Sequence, residues 1–137
     1  MRKLWMLGSL LLALAACQVS PEKSLVPLPD KVTGLPYGRL LERARVQATQ
    51  ANEASYDNKW STLIEAAQGL EQTAQFMMKA EDVPVKHKDT IATASNDLGR
   101  LASSLKQATE AKDIKKTDSI MANIHAKVRE MRLGDAM

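Results

Sequence analysis

Cysteine, aromatic residues and glycine are all scarce in this chain of 137 residues. The single cysteine, Cys17, leaves no partner for a disulfide within the chain. It also excludes a zinc site built from several cysteines and a pair of haem-attachment cysteines. Strand-like alternation of β-branched and polar residues is missing, whereas Ala, Leu, Lys, Glu and Gln, which favour helices, are abundant. The composition therefore predicts an all-α fold.

The first seventeen residues have the three-part layout of a secretory leader. Arg2 and Lys3 give it a positive start, an apolar run covers residues 4–13, and small residues close it. This run is shorter than the about 20 apolar residues that a membrane-spanning helix needs. The last four of the seventeen residues, Leu14-Ala15-Ala16-Cys17, resemble the lipobox of bacterial lipoproteins.

The lipobox resemblance implies cleavage before Cys17, a thioether-linked diacylglycerol on that cysteine, and acylation of the new amine. The lipid would hold the protein to a membrane, and no free thiol would remain to act as a nucleophile. Gln18 stands where an Asp favours inner-membrane retention in enteric bacteria. The resemblance therefore implies the outer membrane, with the protein facing the periplasm. The alternative is a plain secretory leader that happens to end in cysteine.

The charge balance gives no sign of a nucleic-acid partner. Nineteen Lys and Arg residues stand against sixteen Asp and Glu, a formal net charge of +3. Arg2 and Lys3 would leave with the leader, so seventeen basic and sixteen acidic residues would remain, a net charge of +1. The basic residues do not cluster into the kind of patch that binds nucleic acid or an anionic membrane surface.

Residues 17–36 read as a tether between the lipid and the rest of the chain. Four of the five prolines lie here, namely Pro21, Pro27, Pro29 and Pro36. They deny helix and favour an extended backbone of about 3.1 Å per residue. We predict a flexible spacer, with a docking role for residues 25–29 as the alternative.

Hydrophobic periodicity predicts four helices, at about 37–55, 58–80, 85–109 and 114–133. Pro36, Asp57 and Asp113 precede three of them, where proline or a capping carboxylate is favourable. Gly134 stands where the last helix should stop. The apolar stripes are Leu40, Leu41, Ala44, Ala48, Ala51 and Ala54; Trp60, Leu63, Ile64, Ala67, Leu70, Ala74, Met77 and Met78; Ile91, Ala94, Leu98, Leu101, Ala102, Leu105 and Ala108; and Ile114, Thr117, Met121, Ile124, Val128 and Met131.

Four helices, each roughly 30 Å long and joined by short turns, predict an up-down-up-down four-helix bundle. The predicted organisation is a signal peptide over 1–16, a lipidated cysteine and tether over 17–36, and the bundle over 37–134. A longer helical hairpin bent near Tyr56 and paired with a second hairpin is the alternative. Gly69 inside the second helix predicts a close crossing with a neighbour.

The last predicted helix contains His125 and, four residues later, Arg129. This spacing, together with the Leu/Ala stripes of the second and third helices, resembles the cytochrome c′ family over about residues 38–133. In that family the last helix carries Cys-x-x-Cys-His and an Arg four residues after the His. The resemblance implies that His125 would be an axial haem ligand and that Arg129 would lie near a propionate.

The chain departs from that family at the two attachment positions, which hold Met121 and Ile124. Neither side chain can form a thioether to a haem vinyl group, so covalent haem is excluded. A non-covalent, five-coordinate haem on His125 remains one interpretation. The other is that His125 lies solvated at the margin of the apolar stripe and that the bundle binds no cofactor.

No catalytic set is apparent. The two histidines, His87 and His125, are far apart, and neither H-E-x-x-H nor a glycine-rich phosphate loop occurs. The serines of the third predicted helix have no evident base. We therefore expect a non-catalytic, lipid-anchored periplasmic bundle without metal or cofactor, acting through contacts with an unidentified envelope protein. The alternative is a haem-binding electron-transfer or gas-binding module.

Overall fold

The computed structural model describes residues 27–29 and 34–133. Its helices are α1 (Tyr37–Tyr56), α2 (Trp60–Met78), α3 (Lys88–Glu110) and α4 (Ile114–Glu130), with a 3₁₀ turn at Val85–His87 before α3. No strand occurs among the described residues, and the predicted all-α class is confirmed. The predicted signal peptide, Cys17 and Gly134 lie outside the described residues.

The four helices pack as a closed ring in chain order. α2 lies between α1 and α3, and α4 packs against α3 and closes the ring against α1. Within residues 34–133, neither diagonal pair is in contact. Because short turns join consecutive helices, neighbours are antiparallel, and the predicted up-down-up-down bundle is confirmed. The α2–α3 interface is the most extensive of the four, and the α1–α4 interface is the least.

The core contains most of the predicted apolar stripes. Large side chains that are fully or almost fully enclosed are Leu40, Leu63, Leu70, Met77, Leu98, Leu105, Ile124 and Met131. Leu41, Trp60 and Leu101 are only half-buried against this cluster. Met77 is buried and Met78 is exposed, so only the first methionine of that pair fills the core.

Several predicted helix boundaries are wrong: α2 ends at Met78 rather than at residue 80, and α3 begins at Lys88 rather than at residue 85. Asp57 does not cap α2; it is the C-cap of α1, and α2 begins three residues later at Trp60 with no side-chain cap. α4 ends at Glu130 rather than at residue 133. The cap at Asp113 is correct, because its Oδ1 accepts a hydrogen bond from the Lys116 backbone N–H at 3.1 Å.

A polar pair inside the bundle explains the glycine of α2. Gln47 on α1 is completely buried, and its Oε1 accepts a hydrogen bond from the Thr73 hydroxyl at 2.8 Å. A Cβ at Gly69 would lie 2.7 Å from Gln47 Nε2. Gly69 therefore makes room for the glutamine where α1 and α2 approach closely, which agrees with the predicted close crossing.

Candidate functional site: a cleft at one end of the bundle

The bundle has two unlike ends. The closed end joins the start of α1, the end of α2, the start of α3 and the end of α4. The open end joins the end of α1, the start of α2, the end of α3 and the start of α4. These names are used below for the two groups of helix termini.

The closed end is sealed by the first residue of α1. The Tyr37 hydroxyl donates a hydrogen bond to the Met131 carbonyl oxygen at 2.6 Å, which ties α1 to the end of α4. The Tyr37 backbone N–H donates to both carboxylate oxygens of Asp82, at 2.9 and 3.1 Å. This carboxylate, from the α2–α3 connection, satisfies a free N–H of the helix and lies at its positive end. Burial raises the pKa of Tyr37 to about 12.

The open end is built from two turns of the same form. Asn58 and Lys112 have positive φ angles of 55° and 54°, and they are the only such non-glycine residues in the described part of the chain. In each turn the next residue donates back into the preceding helix, Lys59 N–H to Ala54 O at 2.8 Å and Asp113 N–H to Ala108 O at 3.0 Å. Glycine is the usual residue at this position of a helix end.

A cleft of about 470 Å³ lies at the open end, between the end of α1 and the first three turns of α4. Its lining consists of Asn52, Ser55, Tyr56, Asn58, Trp60, Ile114, Asp118, Met121, Ala122 and His125. Tyr56 is 88% exposed and Ile114 is 58% exposed, although both are large and apolar in body. The cleft forms at the seam where the helices pack least extensively.

The prediction that Ile114 points inward is wrong. It is the first residue of α4 and is 58% exposed on the rim of the cleft, so the neighbouring helices cover less than half of it. Sequence reasoning also left Tyr56 out of any site. The available signal was the position of both residues beside three-residue turns, where a large apolar side chain has little core to enter.

The cleft carries little charge. Asp118 is the one carboxylate in its lining, and the lining contains neither Lys nor Arg. Its other polar groups are amides, hydroxyls and the His125 imidazole, set among the Trp60 ring, Met121 and the exposed Tyr56. Aromatic surface combined with hydrogen-bonding groups and few charges is typical of the buried centres of protein interfaces.

The structure separates the two residues that the cytochrome c′ resemblance brought together. His125 is half-buried and lines the cleft. Arg129, one turn further along α4, is exposed and lies outside the cleft lining. The cleft extends from His125 towards Ile114, which is the opposite direction along α4. His87, the second histidine, lies in the 3₁₀ turn at the closed end.

One cationic side chain in the last turn of α4, Lys127, pairs with two carboxylates. Lys127 Nζ lies 3.1 Å from Glu130 Oε2 and 3.5 Å from Asp97 Oδ2, which links α4 to α3. The hydrogen bond to Glu130 raises the pKa of Lys127, against a smaller opposing effect of burial. Lys127 is not part of the cleft lining, and only its contact with Asp97 spans the α3–α4 seam.

A second polar feature lies on the outer side of α2. The Leu28 N–H donates to Gln72 Oε1 at 2.8 Å, and Gln72 Nε2 donates to the Leu28 carbonyl oxygen at 2.8 Å. The Leu28 side chain packs against the core cluster. The described part of the predicted spacer therefore contacts the bundle.

Among residues 27–29 and 34–133, no three His, Cys, Asp or Glu side chains come together in a way that could hold a metal ion. In the same described ranges, no helix is both long and apolar enough to cross a bilayer.

Comparison with protein-family models, curated proteins and solved structures finds no match to this chain.

Proposed function

We propose that this chain is a non-catalytic, lipid-anchored protein of the bacterial cell envelope that acts by binding another envelope protein. The lipid on Cys17 would hold it to the membrane, in the outer membrane and facing the periplasm. The cleft at the open end would be the contact surface. The lipobox resemblance supports the anchor, and the geometry of the open end supports the contact.

The observation that carries the proposed contact is the exposure of Tyr56 and Ile114 on the rim of the cleft. Tyr56 is 88% and Ile114 is 58% exposed, while the Trp60 ring lies half-buried between the helices. Aromatic residues are enriched in the buried centres of protein interfaces, where charged residues are depleted. A rim of this composition, with one carboxylate in the lining, matches that pattern better than an ordinary solvated surface.

The position of the cleft supports the same reading. The tether enters the bundle at Tyr37, at the closed end, and α1 is 20 residues long. At 1.5 Å per residue the cleft therefore lies about 30 Å from that entry point. The open end is therefore the end of the bundle that lies farther from the point where the tether enters.

Site-specific cross-linking in living cells tests the contact. A photoactivatable amino acid is placed at position 56 of the full chain, with position 93 as the matched control, because Thr93 is exposed on α3 outside the cleft lining. We expect one discrete adduct with a second envelope protein from position 56 and none from position 93. Equal adducts from both positions, or none from position 56, would contradict the proposal.

The anchor is tested separately with Cys17→Ser. This variant should lose all incorporation of radioactive fatty acid and should leave the membrane fraction, because the thioether cannot form. Persistent fatty-acid labelling of the variant would refute the proposed lipidation. The Tyr56 adduct reports on the cleft, so the two parts of the proposal fail independently.

One observation favours the haem alternative, namely that the His125 imidazole lines the cleft beside Met121 and Trp60. The cleft does not fit the rest of a haem, because its lining offers the propionates a carboxylate, Asp118, and no cation. Arg129, the expected propionate partner, lies outside it.

Titration of the purified full chain with haemin separates the two candidates. A Soret band that is lost in His125→Ala and retained in Arg129→Ala would establish haem ligation and defeat the cofactor-free reading. We expect no saturable Soret band from the wild-type chain.

A further inference from the structure

Gln72 on α2 holds a piece of the tether through both backbone groups of one residue. Its amide accepts from the Leu28 N–H and donates to the Leu28 carbonyl, each at 2.8 Å. A residue in a β-strand exchanges the same two bonds with its neighbour in an antiparallel ladder. The side-chain amide therefore recognises extended backbone, in the manner of an added strand.

The residues around Leu28 suit this mode of binding. Pro27 and Pro29 carry no backbone N–H and favour extended backbone before and after the leucine. Leu28 is thus the one residue of the three that can offer both a donor and an acceptor. Its side chain is half-buried and packs against the core cluster, while both prolines are exposed. Gln72 therefore binds the backbone of Leu28, and the core cluster contacts the side chain of the same residue.

The described chain just before α1 contains a glycine in a conformation that other residues rarely adopt. Gly34 has a φ of +82°, a left-handed conformation that favours glycine, and nothing lies within 4 Å of where its Cβ would be. Beyond it, Leu35 packs against the core and Tyr37 is held by Asp82. Release of Leu28 would therefore leave the closed end intact.

We propose that Gln72, together with the core side chains beneath Leu28, is a docking site for an extended peptide, and that the chain's own Pro27–Pro29 segment occupies it reversibly. The stabilisation from two hydrogen bonds and one half-buried leucine is of the same order as the conformational entropy cost of ordering the segment. Docked and released states therefore both contribute to the native ensemble.

Docking would change how far the bundle can extend from the membrane. This consequence rests on the proposed anchor at Cys17. With Leu28 docked, at most about 36 Å of extended chain separates Cys17 from its attachment on the side of α2. With Leu28 released, at most about 66 Å of extended chain separates Cys17 from Tyr37 at the closed end. Docking would hold the bundle close to the bilayer, and release would let the open end reach further into the periplasm.

Amide hydrogen exchange at Leu28 measures the docked population in the full-length lipoprotein in detergent. The flanking prolines have no amide hydrogen, so this one signal reports on the segment without overlap from its neighbours. A released state of about 0.1–10% corresponds to protection of roughly 10- to 1,000-fold. We expect Gln72→Ala to reduce that protection at least tenfold, while the helical circular dichroism is unchanged.

Gln68→Ala is the matched control, because Gln68 is an exposed glutamine one turn earlier on the same helix, and it should leave the protection unchanged. Gln72→Glu keeps an acceptor for the Leu28 N–H and loses the donor at neutral pH, so protection should be intermediate. An unprotected Leu28 amide in the wild type, or full protection in Gln72→Ala, would overturn the proposal.

Two further measurements distinguish this proposal from binding between two copies of the chain and from loss of the lipid anchor. Protection that rises with protein concentration would assign the site to the segment of a second copy and overturn the intramolecular assignment. Cys17→Ser should leave the protection of Leu28 unchanged even though the anchor is lost. Failure of the lipid anchor and failure of the docking site are therefore distinguishable.

Discussion

The two tyrosines of α1 define the contrast between the ends of the bundle. Tyr37 opens the helix and is 4% exposed, whereas Tyr56 closes it and is 88% exposed. The first donates its hydroxyl to the Met131 carbonyl and its N–H to Asp82. The second stands on the rim of the cleft. Tyr37 thus stabilises one end of the bundle, whereas Tyr56 forms exposed surface at the other end.

The backbone follows the same division. Both non-glycine residues with positive φ in the described part of the chain, Asn58 and Lys112, lie in the turns of the open end. At the closed end, Asp82 accepts from the first N–H of α1, and the Tyr37 hydroxyl donates to the Met131 carbonyl at the end of α4. Strained backbone and uncovered apolar surface collect where proteins place binding sites. The contrast is why the cleft, rather than the sealed end, is the candidate contact surface.

The largest expected effect comes from truncating the two tyrosines. Tyr37→Ala should lower the free energy of unfolding by about 3–5 kcal/mol, because it removes a buried ring and leaves the Met131 carbonyl without its donor. Tyr56→Ala should change it by no more than about 0.5 kcal/mol. Urea denaturation followed by circular dichroism measures both. Similar losses for the two variants would erase the distinction between the ends.

Alkaline pH should weaken the closed end specifically. Burial raises the pKa of Tyr37 from 10.0 to about 12, so the folded state holds this proton more tightly than the unfolded state does. Its contribution is complete below pH 10 and is lost as the pH rises towards 12, by about 2–3 kcal/mol in all. Denaturation at several pH values, compared with Tyr37→Phe, isolates it. A wild-type curve parallel to the Tyr37→Phe curve would contradict the assignment.

The fold was predictable because the apolar stripes repeat at the helical period over long segments. Leu70, Leu98 and Ile124 fall on those stripes and are fully buried. The polar core was not predictable from that pattern. Gln47 and Thr73 read as surface residues in a periodicity argument, and their burial depends on a partner on another helix and on the space above Gly69.

The candidate site was predictable only in part. His125 was singled out and lies in the cleft, but Arg129 does not, since the cleft extends the other way along α4. Tyr56 and Ile114 were missed because their exposure depends on where the bundle ends rather than on their spacing. The contact between Leu28 and Gln72 joins residues 44 positions apart and leaves no local pattern in either segment.

Asp82 offers a smaller effect at the closed end. Asp82→Ala should lower the free energy of unfolding by about 1 kcal/mol, because the first N–H of α1 loses both carboxylate contacts. Glu81→Ala is the matched control, since Glu81 is the neighbouring exposed carboxylate and should have little effect. Thermal melts of the two variants make the comparison. An equal loss from both would mean that the carboxylate does not act as a cap.

The smallest effect should be a gain at the open end. Lys112→Gly relieves a left-handed conformation that costs about 1–2 kcal/mol for an L-residue. Glycine also raises the conformational entropy of the unfolded chain, which lowers the free energy of unfolding by about 0.4–1 kcal/mol. The expected net gain is about 0.5–1 kcal/mol. Gln107→Gly, at an exposed helical position of α3, should instead lose about 1 kcal/mol. If both substitutions destabilise in the same urea titration, the turn at Lys112 is not strained. The open end would then be distinguished by its cleft, with Tyr56 and Ile114 on the rim, and not by its backbone.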